Sequence, residues 1–200
     1  MNSNQDEEKF NNLYVKAMEN RPEQFVPASM PYVKCKINGI DLIALIDSGS
    51  MITASNLEVA NKCDFLSEVD TRVKIPVAGV GNKVSIGQNY GVNIDLGDNQ
   101  ITMPIVILDI QLTDCDLLIG LDLLRSFRAN IDFQNNQLIL NSIGSTISTK
   151  LLTDQEKKEF IQVKKLIEIS GNKLSNDEAL AYLHKHEFNF ENCVNDIIGL

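Results

Sequence analysis

From residue 32 to about residue 143 the apolar residues come in short runs closed by turn formers, and that punctuation constrains the fold more than any other feature of the chain. The runs at 32–37, 41–46, 73–80, 84–86, 91–96, 101–108, 117–119, 129–133 and 138–140 are too short for ordinary helices and suit strands. Two breaks are specific hairpin signals, Asn38-Gly39 and Gly97-Asp98-Asn99, each between apolar segments. Residues 31–142 are therefore expected to form a mainly β domain. Helical breaks are few: residues 56–62, and residues 121–127 with Asp122 in the first turn and Arg125 and Arg128 toward the end.

The flanks follow another period. Phe10, Leu13, Tyr14, Ala17 and Met18 have helical spacing until Arg21-Pro22 stops it, so residues 1–30 read as a helical lead-in. Residues 142–149 are rich in Ser, Thr and Gly, and 143–155 read as a linker. Beyond it, Phe160, Val163, Leu166 and Ile167 open a helical pattern. Ser175 with Glu178 forms a capping box before Ala179, Leu180 and Leu183, and Asn189 caps a segment carrying Phe190, Val194, Ile197 and Ile198. Residues 156–200 are expected to be a small three-helix bundle.

An apolar content of 44% supports a real core, and a net charge of −9 without Lys/Arg clusters argues against nucleic acid. No stretch is long and apolar enough to span a bilayer and the start is polar, so a cytoplasmic or nuclear location is the expectation, with no membrane partner. Cys35, Cys63, Cys115 and Cys193 lie too far apart for a metal motif and read as reduced thiols. His184 and His186, two apart, suit neither a zinc helix nor a triad. No metal or cofactor is expected.

Residues 45–53, LIDSGSMIT, place Asp47 at the end of the apolar run 42–46 in a turn of hydroxyls and glycine, where water is partly excluded. A carboxylate so placed performs acid/base chemistry on a peptide only beside a second one with which it shares a proton. The chain has no internal repeat, so the partner is expected from a second copy. Two other elements bear on the site. Residues 116–124, DLLIGLDLL, are an apolar strand closed by Gly120, and residues 78–82, AGVGN, are a glycine-rich hairpin tip with no Lys-Ser/Thr for phosphate, hence a candidate flap.

In combination, Asp47-Ser48-Gly49-Ser50, the glycine-tipped hairpin and Leu118-Ile119-Gly120 resemble the retroviral-type (retropepsin-like) aspartic proteases. The segments MENRPEQF (18–25), MPYVKCKING (30–39), DTR (70–72), GVG (79–81) and LIGLDLLR (118–125) resemble the DNA-damage-inducible ubiquitin-shuttle branch. The C-terminal helices look like the ubiquitin-associated domain that this branch often carries. The resemblance implies that Asp47 is the catalytic carboxylate, that Ser48 bonds across a homodimer and that Gly49 and Ser50 complete the turn. It further implies that Gly79, Val80 and Gly81 lie in the flap and that Ile119 and Gly120 pack beneath the aspartate loop. Ser50, where relatives often have alanine, adds a hydroxyl expected to hydrogen-bond the carboxylate pair and tune its pKa.

The function so implied is an aspartic endopeptidase acting on peptides and protein clients, including ubiquitinated ones, through a water held between two Asp47 side chains. Residues 129–133 and 138–140 are candidate subunit edges. The sequence starts without the ubiquitin-like domain of many relatives, so a proteasome-docking role for its N-terminus has no support. The loop at 169–174, ISGNKL, replaces the Met-Gly-Phe/Tyr usual between the first two ubiquitin-associated helices. A competing reading is therefore a dimeric scaffold presenting residues 156–200 to ubiquitin, with Asp47 catalytically idle. A third, a protease excised from a retroelement polyprotein, is disfavoured by the helices and by the 18–25 segment.

Overall fold

The computed structural model describes residues 3–25, 29–77 and 83–199. Helix α1 (Ser3–Asn20) ends at Arg21, and a single 3-10 turn, Pro22–Phe25, follows, with the Phe25 ring edge-on to Tyr14 at 5.4 Å. Strands β1 (Tyr32–Ile37) and β2 (Ile40–Ile46) then form a hairpin whose turn residues, Asn38 and Gly39, both have positive φ (50° and 79°). That backbone twist matches the twist of the strands, which is why Asn-Gly is favoured there. After the Asp47 turn come β3 (Ala54–Asn56) and α2 (Leu57–Lys62), with the Asn56 side chain accepting from Val59 N. A short hairpin has arms β4 (Pro76–Val77) and β5 (Lys83–Val84). The long hairpin β6 (Gly87–Leu96) and β7 (Asn99–Leu108), β8 (Leu117–Ile119), α3 (Leu121–Ser126), β9 (Asn130–Asp132) and β10 (Gln137–Ser142) complete the expected β domain.

Six strands close into a barrel in the order β1-β2-β8-β3-β7-β6. The inward positions are filled by Ile37, Leu42, Ile94, Leu96, Ile105, Ile107, Leu117 and Ile119, all essentially inaccessible to solvent. Each such side chain contributes about 1.5–3 kcal/mol by leaving water. Strand β2 pairs in parallel with β8, and β3 is wedged between β8 and β7. Two strands distant in sequence are thereby brought side by side, β2 ending at the Asp47 turn and β8 at Gly120.

Two expectations are corrected. Residues 145–150 are not linker but strand β11 (Ser145–Lys150), antiparallel to β10 from Ser142↔Ser145 to Gln137↔Lys150. Alternation decides this: Ile147 is buried in the barrel core between exposed Thr146 and Ser148, and Gly144 turns the chain at φ +83°. The connection to the helices shrinks to residues 151–153. Strand β10 is also no free edge, since it lies between β9 and β11 with Leu138 and Leu140 buried against the barrel.

Helices α4 (Asp154–Ile169), α5 (Asn176–Lys185) and α6 (Phe190–Ile198) pack around Val163, Leu166, Ala179, Leu183 and Cys193. Capping boxes open α4 (Thr153 with Glu156) and α5 (Ser175 with Glu178), and the Asn189 side chain caps α6. His186 contacts Asp196 at 3.1 Å and the His184 ring meets Phe188 edge-on. Among the described residues no helix is long and apolar enough to cross a membrane.

Candidate active site

Asp47 is the first residue beyond β2, half-buried, and its position is set by β8. The Asp47 N–H donates to the Ile119 carbonyl at 2.9 Å, extending the parallel β2–β8 pairing into the turn. The chain then folds back on the carboxylate: Gly49 N–H donates to Asp47 Oδ1 at 2.9 Å and Ser50 N–H to the Asp47 carbonyl at 3.1 Å. A Cβ on Gly49 would stand 3.1 Å from that carboxylate oxygen, so glycine lets the backbone approach without crowding it. Ser48 is exposed at the tip.

Gly120 lies beneath this turn. A Cβ there would stand 2.3 Å from the Ile52 carbonyl oxygen and 2.4 Å from its carbon, so only hydrogen fits between β8 and the descending limb of the turn. Leu121 N–H donates to the Ser50 carbonyl at 2.8 Å, closing the contact from the other side.

The clamp that holds this contact is formed by residues that the sequence reading did not assign to the site. Thr53 is fully buried; its N–H donates to Asp122 Oδ2 at 2.9 Å and its hydroxyl to Asp122 Oδ1 at 2.7 Å, while Gly120 N–H donates to Thr53 Oγ1 at 3.2 Å. Asp122 also receives Leu123 N–H at 2.7 Å. The only sequence signal for Asp122 is an acidic residue in a helical first turn, which by itself means no more than a favourable helix dipole.

A family model described as aspartyl protease matches residues 22–132, more than half of the chain, and spans the whole of this turn-and-clamp arrangement. The chain belongs to the aspartyl protease family. Protein DDI1 homolog 1 of Bos taurus is 32% identical over 170 residues, which are 85% of this chain and 41% of that protein. UBA domain-containing protein Mud1 of Schizosaccharomyces pombe is 34% identical over 145 residues, 70% of this chain and 43% of that one. The chain thus spans less than half the length of these curated relatives. The crystal structure of the retroviral protease-like domain of Ddi1 from Leishmania major superposes with a TM-score of 0.57 at 28% identity, covering 65% of this chain and 99% of that domain. The barrel has the retropepsin-like fold, and over its protease domain the chain is similar to DDI1 proteins.

The expected flap tip of this protease domain, Gly79, Val80 and Gly81, lies outside the described residues. Its arms β4 and β5 converge on a fixed root. Ile75 N–H donates to Ser85 Oγ at 2.8 Å and Ser85 N–H to the Ile75 carbonyl at 2.9 Å. Below them Arg72 grips Asp70 through Nε (2.9 Å) and Nη2 (2.7 Å), with Tyr90 Oη at 3.3 Å. These bonds, above all those from Arg72, hold the Asp70 carboxyl well below the usual carboxylate range. Gly87 lets the strand pass where a Cβ would stand 2.5 Å from the Asp70 carbonyl oxygen. Between hairpin and turn lies an apolar patch in which Ile52, Ile75 and Val77 pack on Ala54, Val106 and Leu108.

The Ser50 hydroxyl is not directed as expected. It donates to the Ile52 carbonyl at 2.8 Å and receives Ile52 N–H at 3.4 Å, so its proton is engaged within its own turn. Among the described residues no group of three or more His, Cys, Asp or Glu side chains is placed to hold a metal. The cysteines are free; burial and then the Asp116 charge push the Cys63 and Cys115 thiols up to about 11.

Proposed function

We propose that the protein is an aspartic endopeptidase whose active site is completed by a second copy, each chain supplying one Asp47. The observation that carries this reading is the Asp47 turn: a carboxylate at a strand end, folded against glycine and seated on Gly120 with space for hydrogen alone. Two such carboxylates facing one another share one proton, because like charges at close range do not both ionise cheaply. The ionised Asp47 removes a proton from the water as its oxygen attacks the scissile carbonyl carbon, and the protonated one gives its proton to the carbonyl oxygen. The resulting gem-diol collapses: the first carboxyl passes its proton to the departing nitrogen, the second recovers one from a diol hydroxyl, and the C–N bond breaks. The Ser48 hydroxyl at the exposed tip serves the contact between the two turns. The apolar patch beneath β4 and β5 suits an extended peptide with apolar side chains at alternate positions.

Asp47→Asn tests this. Cleavage of an unfolded protein at acid pH is expected to vanish while sedimentation still finds the same association state, and a statine-type transition-state mimic is expected to block the wild type. Cleavage that persists in a clean Asp47→Asn preparation, or activity strictly proportional to monomer, refutes the reading.

The helices support a second role, a ubiquitin-binding module that brings ubiquitinated clients to the protease. Its support is a bundle with its own core, Ile169 and Ile198 about half exposed, and a relative named for a UBA domain. Binding of polyubiquitin by the Asp47→Asn chain tests it separately from cleavage.

A further inference from the structure

Asp116 stands where three barrel strands meet. Its N–H donates to the Ile43 carbonyl at 2.8 Å and its Oδ2 accepts from Ile43 N–H at 2.8 Å, so one residue closes the β2–β8 pairing at its root with backbone and side chain together. Its own carbonyl accepts the Ser55 hydroxyl of β3 at 2.7 Å. From this root β2 runs on to Asp47 and β8 to Gly120, the two halves of the catalytic turn.

The charge on Asp116 is met from outside the barrel. Lys164 of α4 places Nζ 2.8 Å from both carboxylate oxygens, and each side chain of the pair is only about one fifth exposed (21% and 20%). The same helix is seated along its length. Lys157 Nζ lies 3.9 Å from the Tyr32 ring centroid and Lys34 Nζ 5.3 Å from that of Phe160; Glu168 pairs with Lys62 at 3.3 Å and Asp154 accepts from Ser29 at 2.8 Å. With only residues 151–153 between β11 and α4, the bundle has no slack with which to drift away. A cleft of about 300 Å³ lies beside the pair, lined by Glu58, Asp114 and Lys165 together with Asp116 and Lys164 themselves.

The geometry points to the C-terminal bundle as an intramolecular brace of the turn bearing Asp47: Lys164 is a positioning residue that acts through Asp116 on β2 and β8. The physical basis is that a partly buried carboxylate deprived of its cation is poorly solvated, and the hydrogen bonds it accepts open more often. The catalytic consequence rests on the endopeptidase reading; the coupling itself does not.

The test uses the whole chain with Lys164→Met, Lys164→Arg and, as a control for charge on α4, Lys158→Met. Amide hydrogen exchange is expected to speed up about tenfold at residues 43–47 and 117–121 in Lys164→Met. Ile94 and Ile101, paired with each other on β6 and β7, keep their rates, Lys164→Arg restores the wild-type pattern and Lys158→Met never departs from it. Where the wild type cleaves peptide, kcat of Lys164→Met falls by about tenfold at constant KM, the signature of a displaced catalytic group. Unchanged exchange at 43–47, or equal acceleration across the barrel, overturns the brace. If the exchange pattern appears but the wild type cleaves nothing, the brace stands and the endopeptidase reading fails; cleavage without the pattern does the reverse.

Discussion

Asp122→Ala isolates the clamp beneath the Asp47 turn, and its cost can be worked from the structure. The substitution removes the acceptor of two donors on one residue, the Thr53 N–H at 2.9 Å and hydroxyl at 2.7 Å, and Thr53 is fully buried, so water does not replace it. An orphaned buried donor costs about 1–3 kcal/mol; with the hydroxyl free to rotate, the pair costs about 3 kcal/mol. Taking a urea dependence of about 2 kcal/mol per molar for a domain of this size, the barrel's unfolding midpoint falls by about 1.5 M. Thr53→Val removes the hydroxyl, and with it the bond to Asp122 and the acceptor of the Gly120 N–H, while the amide bond to Asp122 stays, at about 2 kcal/mol. In the Asp122→Ala background the same Thr53→Val change loses only the bond from the Gly120 N–H, about 1 kcal/mol, so the double-mutant cycle closes with a coupling of about 1 kcal/mol for the hydroxyl–Asp122 bond. The assay is equilibrium urea denaturation followed by circular dichroism in the β-sheet region. A midpoint shift under about 0.3 M for Asp122→Ala, or strictly additive single effects, refutes the clamp.

Gly120→Ala forces a Cβ to within 2.3 Å of the Ile52 carbonyl oxygen, so β8 and the turn must separate by about 1 Å. A peptide-cleavage assay is expected to show a loss of about 100-fold, with a stability cost of about 1–3 kcal/mol by denaturation. Ser50→Ala deletes a bond to the Ile52 carbonyl and not to Asp47, so the pH profile of cleavage keeps its shape while stability falls by about 1 kcal/mol; a displaced profile contradicts the observed orientation. Lys150, followed by the Thr153 N–H, lowers the Glu156 carboxyl to about 2 from 4.5. A depressed carboxyl stabilises the fold above its unfolded value and loses that contribution as pH falls from about 4.5 toward 2. Glu156→Gln is therefore expected to flatten the thermal midpoint's dependence on pH in that window, and an unchanged slope counts against the cap.

Sequence alone reached the features whose causes lie within a few residues. The Asn38-Gly39 turn, the Asn189 cap and the Ser175–Glu178 box are satisfied by neighbours in the chain, and Asp47 announces itself because strand, hydroxyl and glycine are contiguous. Strand β11 escaped because its Ser/Thr/Gly composition is that of a linker; its single inward residue, Ile147, becomes a strand signal only once β10 lies beside it. The direction of the Ser50 hydroxyl was open to two acceptors, and it is the backbone of its own turn, two residues away, that takes its proton.

By local patterning the chain determined its mainly β character and singled out Asp47, and by the resemblance of its motifs it pointed to the family. What only three dimensions decided was how that carboxylate is held. Asp122 lies 69 residues from Thr53, and Asp116 lies 73 from Ile43 and 48 from Lys164. No periodicity or motif encodes pairings at such separations, because they come into being when barrel closure lays β2, β3 and β8 side by side and the packing of α4 brings a cation to their root.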